Sequence, residues 1–263
     1  MGELAVLRDR LSSLERVVVA FSGGADSAFL AWVAQDTLGA DCALAVTAVS
    51  PSLAPDERND CAALAQEWGL SWTEVETAEL SRPEYVANGR DRCAYCKSEL
   101  MDVVAPLAAG RAATVVLGVN LDDLGDNRPG QSVAASRGAA FPLVDAGFTK
   151  AAVRAESRRL GLRTWDKPAA ACLASRIPHG VPVTLGNLSQ VAAAEAALRR
   201  LGFAQVRVRH YADTARMEFE LADLPRVLDR RAEIVSTVRQ AGYRYVTVDL
   251  EGFRSGNMAQ PLT

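Results

Sequence analysis

The residues best suited to chemistry near the start of the chain form a short turn, Ser22-Gly23-Gly24-Ala25-Asp26-Ser27. Residues 17–21, before it, are apolar without alternation, which is typical of a strand buried on both faces of a parallel sheet. Residues 28–34, after it, favour a helix. Because a helix N-terminus presents unpaired N–H groups and a partial positive charge, the turn predicts a phosphate site.

The side chains of this turn agree with a phosphate site. Gly23 and Gly24 let the backbone approach a ligand closely, and Ser22 and Ser27 add hydroxyl donors. Asp26 repels phosphate unless a cation lies between them, so we interpret it as a Mg²⁺ contact, direct or through water. The alternative is an ordinary strand-to-helix turn, in which glycine and serine are also common. The lysine of a kinase-type P-loop and the Gly-x-Gly-x-x-Gly pattern of dinucleotide folds are both absent.

Three cysteines are candidates for metal binding or sulfur chemistry. Cys93 and Cys96 form a Cys-x-x-Cys pair just before a predicted helix over residues 97–105, which indicates a redox pair, half of a zinc site or part of an iron–sulfur site. Two thiols cannot complete a tetrahedral site, so either a third cysteine joins them or the pair is redox-active. We expect Cys42 and Cys61 to be small buried hydrophobes without chemistry.

The third cysteine, Cys172, stands among small residues between Lys167 and Arg176. Nearby cations lower the pKa of a thiol, so Cys172 is a candidate thiolate. A lone cysteine is more often structural than reactive, and the two charges shift that balance only modestly.

Charged residues at two further places suggest ligand binding. A predicted strand over residues 114–119 runs into Asp122, Asp123 and Asp126 beside Arg128, at the end where open α/β sheets bind ligands, which favours a role toward Mg²⁺ and substrate over a solvated acidic turn. On a predicted strand over residues 205–211, Arg207 and Arg209 share one face. Such a pair is suited to phosphate or carboxylate, although it is equally typical of the polar side of a half-covered strand.

The elements that must position these residues follow a β-α-β-α-β rhythm, with strands over 43–49 and 72–75 and a helix over 55–68. This order predicts an α/β fold with a doubly wound parallel sheet. Beyond residue 183 the chain predicts a small α+β unit with helices over 188–201 and 224–241. We therefore expect two domains, residues 1–183 and 184–263.

Composition narrows the class of protein. The chain has 263 residues and a net charge of −3, which gives no general reason to expect a nucleic-acid partner. No apolar run reaches the ~20 residues that span a bilayer, and residues 1–10 lack the apolar core of a signal peptide, so we expect a cytoplasmic protein without a membrane partner. Five cysteines in such a chain indicate thiols, metal or catalysis rather than disulfides.

The turn resembles the pyrophosphate loop (PP-loop) of the N-type ATP pyrophosphatases, and further segments make nearly the whole chain similar to the LarE family of ATP-dependent sulfur transferases. These segments are Asp91–Lys97, Asn127–Gly130, Cys172–Arg176, Val206–Arg209 and Tyr245–Gly256. The resemblance implies an adenine nucleotide alpha hydrolase-like fold, with ATP and Mg²⁺. It also implies adenylation of a carboxylate of a pyridinium biscarboxylate mononucleotide, after which sulfur displaces AMP to leave a thiocarboxylate of the nickel-pincer cofactor pathway.

The resemblance also implies roles for individual residues. Arg207 and Arg209 match the pair that binds the substrate phosphate, and Cys172 matches the sulfur position, so Cys172 and Asp26 are the expected catalytic residues. The expected ATP and Mg²⁺ site, with the adenine beside the strand that ends at Ser50, comprises Ser22, Gly23, Gly24, Asp26, Ser27, Ser50, Asp122 and Arg128. The sequence departs from the family pattern at Gly89, Ser136 and Ala140.

The sulfur source divides the family. Some members sacrifice the cysteine equivalent to Cys172, whereas others use three cysteines to hold a four-iron cluster. Because Cys93, Cys96 and Cys172 are all present, we favour a 4Fe-4S cluster. A homo-oligomer is also expected. The rival hypotheses are a PP-loop tRNA thiolase, an ammonia-using amidotransferase-type synthetase, and a non-catalytic iron–sulfur or zinc protein.

Overall fold

The computed structural model describes residues 2–124, 129–168 and 171–254. The chain forms two compact units. The first comprises Met1–Ser50, Pro55–Glu79 and Asp91–Ala170, and the second comprises Pro51–Ala54, Leu80–Arg90 and Ala171–Thr263. A compact unit need not be an independently folding domain, so the domain boundary near residue 183 stays a prediction.

In the first unit, the described strands are β1 (Val17–Ala20), β2 (Ala43–Val49), β3 (Trp72–Glu76) and β4 (Thr114–Leu117). Its described helices are α1 (Glu3–Leu14), α2 (Ala25–Leu38), α3 (Pro55–Trp68), α5 (Arg92–Ala109), α6 (Pro129–Ser136), α7 (Pro142–Asp145) and α8 (Lys150–Arg159). The short helix α4 (Pro83–Val86) belongs to the second unit.

The strands of the first unit form a parallel sheet in the order β3-β2-β1-β4. Strand β1 is central, with Val17 opposite Ala43 on one side and Thr114 on the other. Its side chains alternate between two cores, because Val17 and Val19 pack with Phe29 of α2 while Val18 packs against helix α5. Helices therefore cover both faces of the sheet, which confirms the predicted doubly wound α/β fold.

The second unit contains a mixed sheet in the order β5-β6-β7, formed by Val206–Tyr211, Thr214–Phe219 and Tyr245–Val248. Strands β5 and β6 are antiparallel, whereas β6 and β7 are parallel. The helices that pack on it are α9 (Leu185–Arg200), α10 (Leu224–Asp229) and α11 (Arg231–Gln240). The predicted small C-terminal α+β unit is therefore present.

A short earlier segment also belongs to this second unit. The side chain of Asn88, which is fully buried, donates to the carbonyl oxygens of Ile177, Pro178 and Val181. The Val183 N–H in turn donates to the Val86 carbonyl at 2.9 Å. These hydrogen bonds explain why residues 80–90 join a unit whose other elements follow residue 170.

Several predicted elements were wrong in detail. The helix expected over 97–105 begins at Arg92 and so includes Cys93 and Cys96, which do not precede it. The helix expected over 224–241 is two helices separated at Arg230. Strand β5 is not half-covered, because every residue from Val206 to His210 is buried.

Two smaller observations complete the fold. Ala140, where the sequence departs from the family pattern, pairs with Val116 beside β4, and its N–H donates to the Val115 carbonyl at 2.9 Å. Within the described residues no helix is long and apolar enough to cross a membrane.

Buried ion pairs organise the second unit. Glu195 on α9 is fully buried and accepts hydrogen bonds from Arg176 Nε at 2.8 Å, Arg199 Nη2 at 2.9 Å and the Val208 N–H at 3.0 Å. Because a buried carboxylate is stable only when its oxygens are satisfied, this arrangement fixes the Arg176 segment against α9 and β5.

The first testable prediction concerns Glu195. Replacing it in Glu195→Gln removes the charge that balances the buried Arg176 guanidinium, so we expect the free energy of unfolding to fall by about 3 kcal/mol. Urea denaturation measures this change. The matched control is Glu156→Gln, which breaks the more exposed pair with Arg159 and should cost no more than about 0.5 kcal/mol. Equal losses in the two variants would contradict the structural role of Glu195.

Candidate active site

The turn after β1 forms a compact hydrogen-bonded loop at the start of α2. Ser27 Oγ donates to the Gly24 carbonyl at 3.1 Å and accepts from the Ser22 N–H at 3.2 Å, and the Ser22 and Ser27 hydroxyl oxygens are 3.0 Å apart. Gly23 has a φ of +69°, a conformation that favours glycine. Gly24 occupies the N-cap position, so the first N–H groups of α2 have no capping side chain to which they could donate a hydrogen bond.

Asp26, in the first turn of α2, carries a buried carboxylate oxygen, Oδ1, that has no hydrogen-bond partner in the part of the chain that the structure describes. Burial raises the pKa of Asp26, and the Asn120 side chain and the charge of Lys150 offset this only in part. The Nδ2 of Asn120 lies near enough to Asp26 to stabilise its charge, but among the described residues it makes no hydrogen bond of normal geometry. Unpaired buried polar atoms are costly, so their presence indicates a site for a ligand.

The chemistry of these atoms fits Mg²⁺. A carboxylate oxygen is the ligand type that Mg²⁺ prefers, and Asp26 lies where phosphates would meet the N-terminus of α2. Asp26 Oδ1 is therefore the described atom best suited to hold the ion.

The end of strand β4 sets the position of Asp26. A Cβ atom at Gly118 would lie 2.8 Å from the Ser27 nitrogen and 2.9 Å from the Asp26 carbonyl carbon. Only glycine permits this approach, which brings Asn120, two residues further on, to the side of Asp26.

The acidic residues after β4 serve local structure. Asp122 Oδ2 accepts from the Lys150 N–H at 2.7 Å and so caps the N-terminus of α8, while Asp123 Oδ2 accepts from the Asn120 N–H. These bonds hold α8, which carries Lys150 and Arg154, near Asp26. The predicted ATP or Mg²⁺ contact of Asp122 stays a prediction, and Asp126 and Arg128 lie outside the described residues.

The predicted adenine position follows the end of β2. Strands β1 and β2 are parallel, with Ala20 opposite Val46, so their carboxyl ends meet at one edge of the sheet. Ser50 comes directly after Val49, the last residue of β2, and therefore follows that same edge. The contact between Ser50 and adenine stays a prediction.

The three predicted metal-binding cysteines lie in different units. Cys93 and Cys96 are three residues apart in the first turns of α5, a spacing that places both thiols on one side of the helix. Cys172 belongs to the second unit, where it is exposed and precedes the 3₁₀ turn Leu173–Arg176. Within the described ranges, no three or more His, Cys, Asp or Glu side chains form a group that could hold a metal ion.

The cations expected to activate Cys172 have other partners. Lys167 Nζ pairs with Glu57 and Asp60 at 2.8 and 2.6 Å, and Arg176 pairs with the buried Glu195. Both charges are thus matched by carboxylates, and the role of Cys172 as a candidate thiolate stays a prediction.

The predicted phosphate-binding arginines are both buried on β5. Arg209 donates from Nε and Nη2 to the two oxygens of Glu218, at 2.9 and 2.8 Å, and from Nη1 to the Ser175 carbonyl at 2.9 Å. The Arg207 guanidinium instead stacks over Phe253, with 4.3 Å to the ring centre. Burial and the charges of Arg176 and Arg209 lower the pKa of Arg207 to about 10, so this guanidinium lies in a region of excess positive charge.

Comparison with known proteins decides the family. Over 260 residues, covering 98% of this chain and 94% of the relative, the chain is 38% identical to the pyridinium-3,5-bisthiocarboxylic acid mononucleotide synthase of Lactiplantibacillus plantarum. The chain belongs to this synthase family, the LarE family. As a LarE family member it is an ATP-dependent sulfurtransferase of the PP-loop class, and its residues 5–89, which include the loop, match the NAD synthase family.

Two further proteins are similar to most or all of this chain. An uncharacterized protein of Synechocystis sp. is 45% identical over 265 residues, covering all of this chain and 98% of the relative. An uncharacterized protein of Methanocaldococcus jannaschii is 24% identical over 242 residues, covering 92% of each. The similarity therefore extends through both units.

The structure adds site residues that sequence reasoning missed. They are Gly118, Asn120, Lys150, Arg154 and Lys167. Gly118 and Asn120 directly follow a predicted strand, and the convergence of strand ends could have drawn attention to them. The sequence analysis considered Lys167 only as a neighbour of Cys172. Its contact with Gly23 could not be predicted, because the two residues are 144 positions apart.

The second prediction tests the buried carboxylate through Asp26→Asn. We expect ATP-dependent pyrophosphate release to fall about 100-fold or more, because a neutral amide oxygen binds Mg²⁺ much more weakly than a carboxylate. Without nucleotide, the variant should be more stable than the parent at neutral pH, because it no longer buries a charge.

The pH dependence follows from the raised pKa of Asp26. The folded parent binds this proton more tightly than the unfolded chain, so the parent gains stability as the pH falls through the folded-state pKa. The stability difference between variant and parent should therefore shrink in acid and be lost below the ordinary pKa of aspartate. Thermal unfolding across pH measures it, and a variant less stable than the parent at neutral pH would contradict the interpretation.

Proposed function

We propose that this protein catalyses ATP-dependent sulfur transfer to a carboxylate of pyridinium-3,5-biscarboxylic acid mononucleotide, as a step of nickel-pincer cofactor synthesis. The observation that carries the proposal is the buried, unpartnered Asp26 Oδ1 at the N-terminus of α2, in a loop of the PP-loop type. The printed name of the L. plantarum relative gives the class of product, a thiocarboxylated pyridinium mononucleotide.

The first step would be adenylation. A substrate carboxylate oxygen attacks the α-phosphorus of ATP, the bond to the bridging oxygen breaks, and pyrophosphate leaves. The N–H groups at the start of α2 and the hydroxyls of Ser22 and Ser27 would bind the departing phosphates. Asp26 would hold Mg²⁺, which balances the charge that develops on pyrophosphate.

The second step would replace oxygen by sulfur. A sulfur nucleophile adds to the acyl carbon, the C–O bond to AMP breaks, and the thiocarboxylate remains, with no net oxidation. The Arg207 and Arg209 pair would bind the substrate phosphate.

We propose that three thiols, Cys93, Cys96 and Cys172, hold a 4Fe-4S cluster. The donor set fits, because Cys93 and Cys96 share one side of α5, and all three cysteines are free of disulfides. A cluster with three protein ligands leaves one iron able to carry an extra sulfide for transfer. The alternative is that Cys172, which is exposed, donates its own sulfur and becomes dehydroalanine.

Three statements about the setting remain predictions from the sequence. We propose a small-molecule mononucleotide substrate without a nucleic-acid partner, since the net charge is −3. We also propose that the protein forms a homo-oligomer and that it is located in the cytoplasm.

The third prediction separates the two sulfur sources. Iron and acid-labile sulfide are measured on anaerobically purified and reconstituted protein, together with the intact mass after turnover. For the cluster we expect about four irons per chain, an unchanged mass after turnover, and loss of iron in Cys93→Ala.

Cys42→Ala is the matched control, because it removes a cysteine outside the proposed ligand set and should retain the iron. An iron-free parent whose mass falls by one hydrogen sulfide at Cys172 would instead establish the sacrificial route and overturn the cluster.

A further inference from the structure

The Gly23 carbonyl of the nucleotide loop is bound by a lysine from a distant part of the chain. Lys167 Nζ donates to the Gly23 carbonyl oxygen at 3.0 Å, although the two residues are 144 positions apart. The same ammonium group donates to Glu57 Oε2 at 2.8 Å and to Asp60 Oδ2 at 2.6 Å, both on helix α3. All three of its hydrogens therefore have acceptors, which fixes the direction of the group.

The backbone around Lys167 is equally constrained. Its N–H donates to the Thr164 carbonyl at 3.1 Å, and its own carbonyl accepts from Arg154 Nη2 at 3.2 Å. The side chain is 16% exposed. Burial acts to lower the pKa of Lys167, but the hydrogen bonds to Asp60 and Glu57 outweigh it and the pKa is raised, so the group is a cation at neutral pH.

The acceptor of this bond belongs to the peptide unit that faces the proposed phosphate site. The Gly23 carbonyl and the Gly24 N–H are the two ends of one trans peptide, so they point in opposite directions. Gly24 is the N-cap of α2. Within the part of the chain that the structure describes, its N–H has no protein acceptor. A cation on the carbonyl end polarises the peptide and strengthens the N–H as a donor, as in any chain of hydrogen bonds.

We propose that Lys167 is a positioning residue for ATP: it fixes the Gly23-Gly24 peptide from behind and makes the Gly24 N–H a stronger donor to a nucleotide phosphate. The contact is specific to the loop conformation, because Gly23 has a φ of +69° and packs between Lys167 and Cys61. This proposal rests on the proposed binding of ATP at the loop. Lys167 contacts the loop and does not itself contact the nucleotide.

The test compares Lys167→Met with Arg163→Met. Arg163 also pairs with Asp60, at 2.6 Å, and with Glu67, but among the described residues it forms no ion pair or side-chain hydrogen bond with the loop. Both variants therefore remove a cation from the same carboxylate cluster, and only Lys167→Met removes the bond to Gly23. The measured quantities are the Kd of Mg²⁺ with a non-hydrolysable ATP analogue, the Kd of adenosine, and the KM and kcat for ATP.

We expect Lys167→Met to weaken binding of the ATP analogue and raise the KM for ATP, each by about tenfold, with unchanged adenosine binding. Arg163→Met should change neither Kd by more than about twofold. If only the Kd of the ATP analogue rises, the effect acts on phosphate binding at the loop. A general structural defect would raise the Kd of adenosine as well.

Lys167→Met leaves the carboxylates of Glu57 and Asp60 without this cation, so a second variant controls for their unbalanced charge. In Lys167→Met/Glu57→Gln/Asp60→Asn the cluster is neutral, so neither repulsion of phosphate nor misfolding from buried charge contributes. The proposal requires the same tenfold loss for this variant. Parental affinity for the ATP analogue in either folded variant would overturn it, whereas a parent protein that fails to bind the analogue would overturn the proposed function instead.

Discussion

The burial of the Asp26 carboxylate at the start of α2 is the constraint on which the rest of the site depends. The partial positive charge of the helix N-terminus favours an anion there, but it does not supply a partner for Oδ1. Burial therefore raises the pKa of Asp26, and the apo protein carries a cost that a cation would remove. The close approach of Gly118 to the backbone of Asp26 and Ser27 fixes the start of α2 against the end of strand β4.

The buried carboxylates of the protein differ in how far they are satisfied. Asp26 Oδ1, in the first unit, has no hydrogen-bond partner among the described residues. In the second unit, the buried carboxylates Glu195 and Glu218 are each shared by several donors. Saturated pairs of this kind add little net stability, but they fix geometry. They hold the segment that follows Cys172 against α9 and β5, because Arg176 reaches Glu195 and Arg209 reaches the Ser175 carbonyl. A rigid support of this kind would suit the proposed role of Cys172 as a cluster ligand or as a sulfur donor.

The sequence predicted those parts of the protein that depend on local pattern. Unbroken apolar runs identified the parallel strands, and the order strand, glycine turn, helix located the nucleotide loop, because each signal lies within about ten residues. Two of the failures, at strand β5 and at Lys167, have their cause in partners that are distant in sequence. Strand β5 looked half-covered because Arg207 and Arg209 alternate with valines, yet Glu218 on the next strand allows Arg209 to be buried. The predicted start of helix α5, at residue 97, lies after the true start at Arg92. The true start has no capping side chain that would mark it in the sequence. No local pattern links Lys167 to Gly23.

The placement of Lys167 also accounts for the absence of a lysine from the loop itself. A lysine within the turn would lie beside Asp26, where its ammonium group would neutralise the carboxylate and compete with a metal ion for Oδ1. An ammonium group behind the Gly23 carbonyl avoids this competition, because the peptide bond separates it from the ligand side of the loop. Its charge still reaches the phosphate through the polarised Gly24 N–H. The loop can therefore present an anion for the metal and stronger donors for the phosphate from adjacent positions, which a kinase-type P-loop achieves instead with a lysine that contacts the phosphates directly.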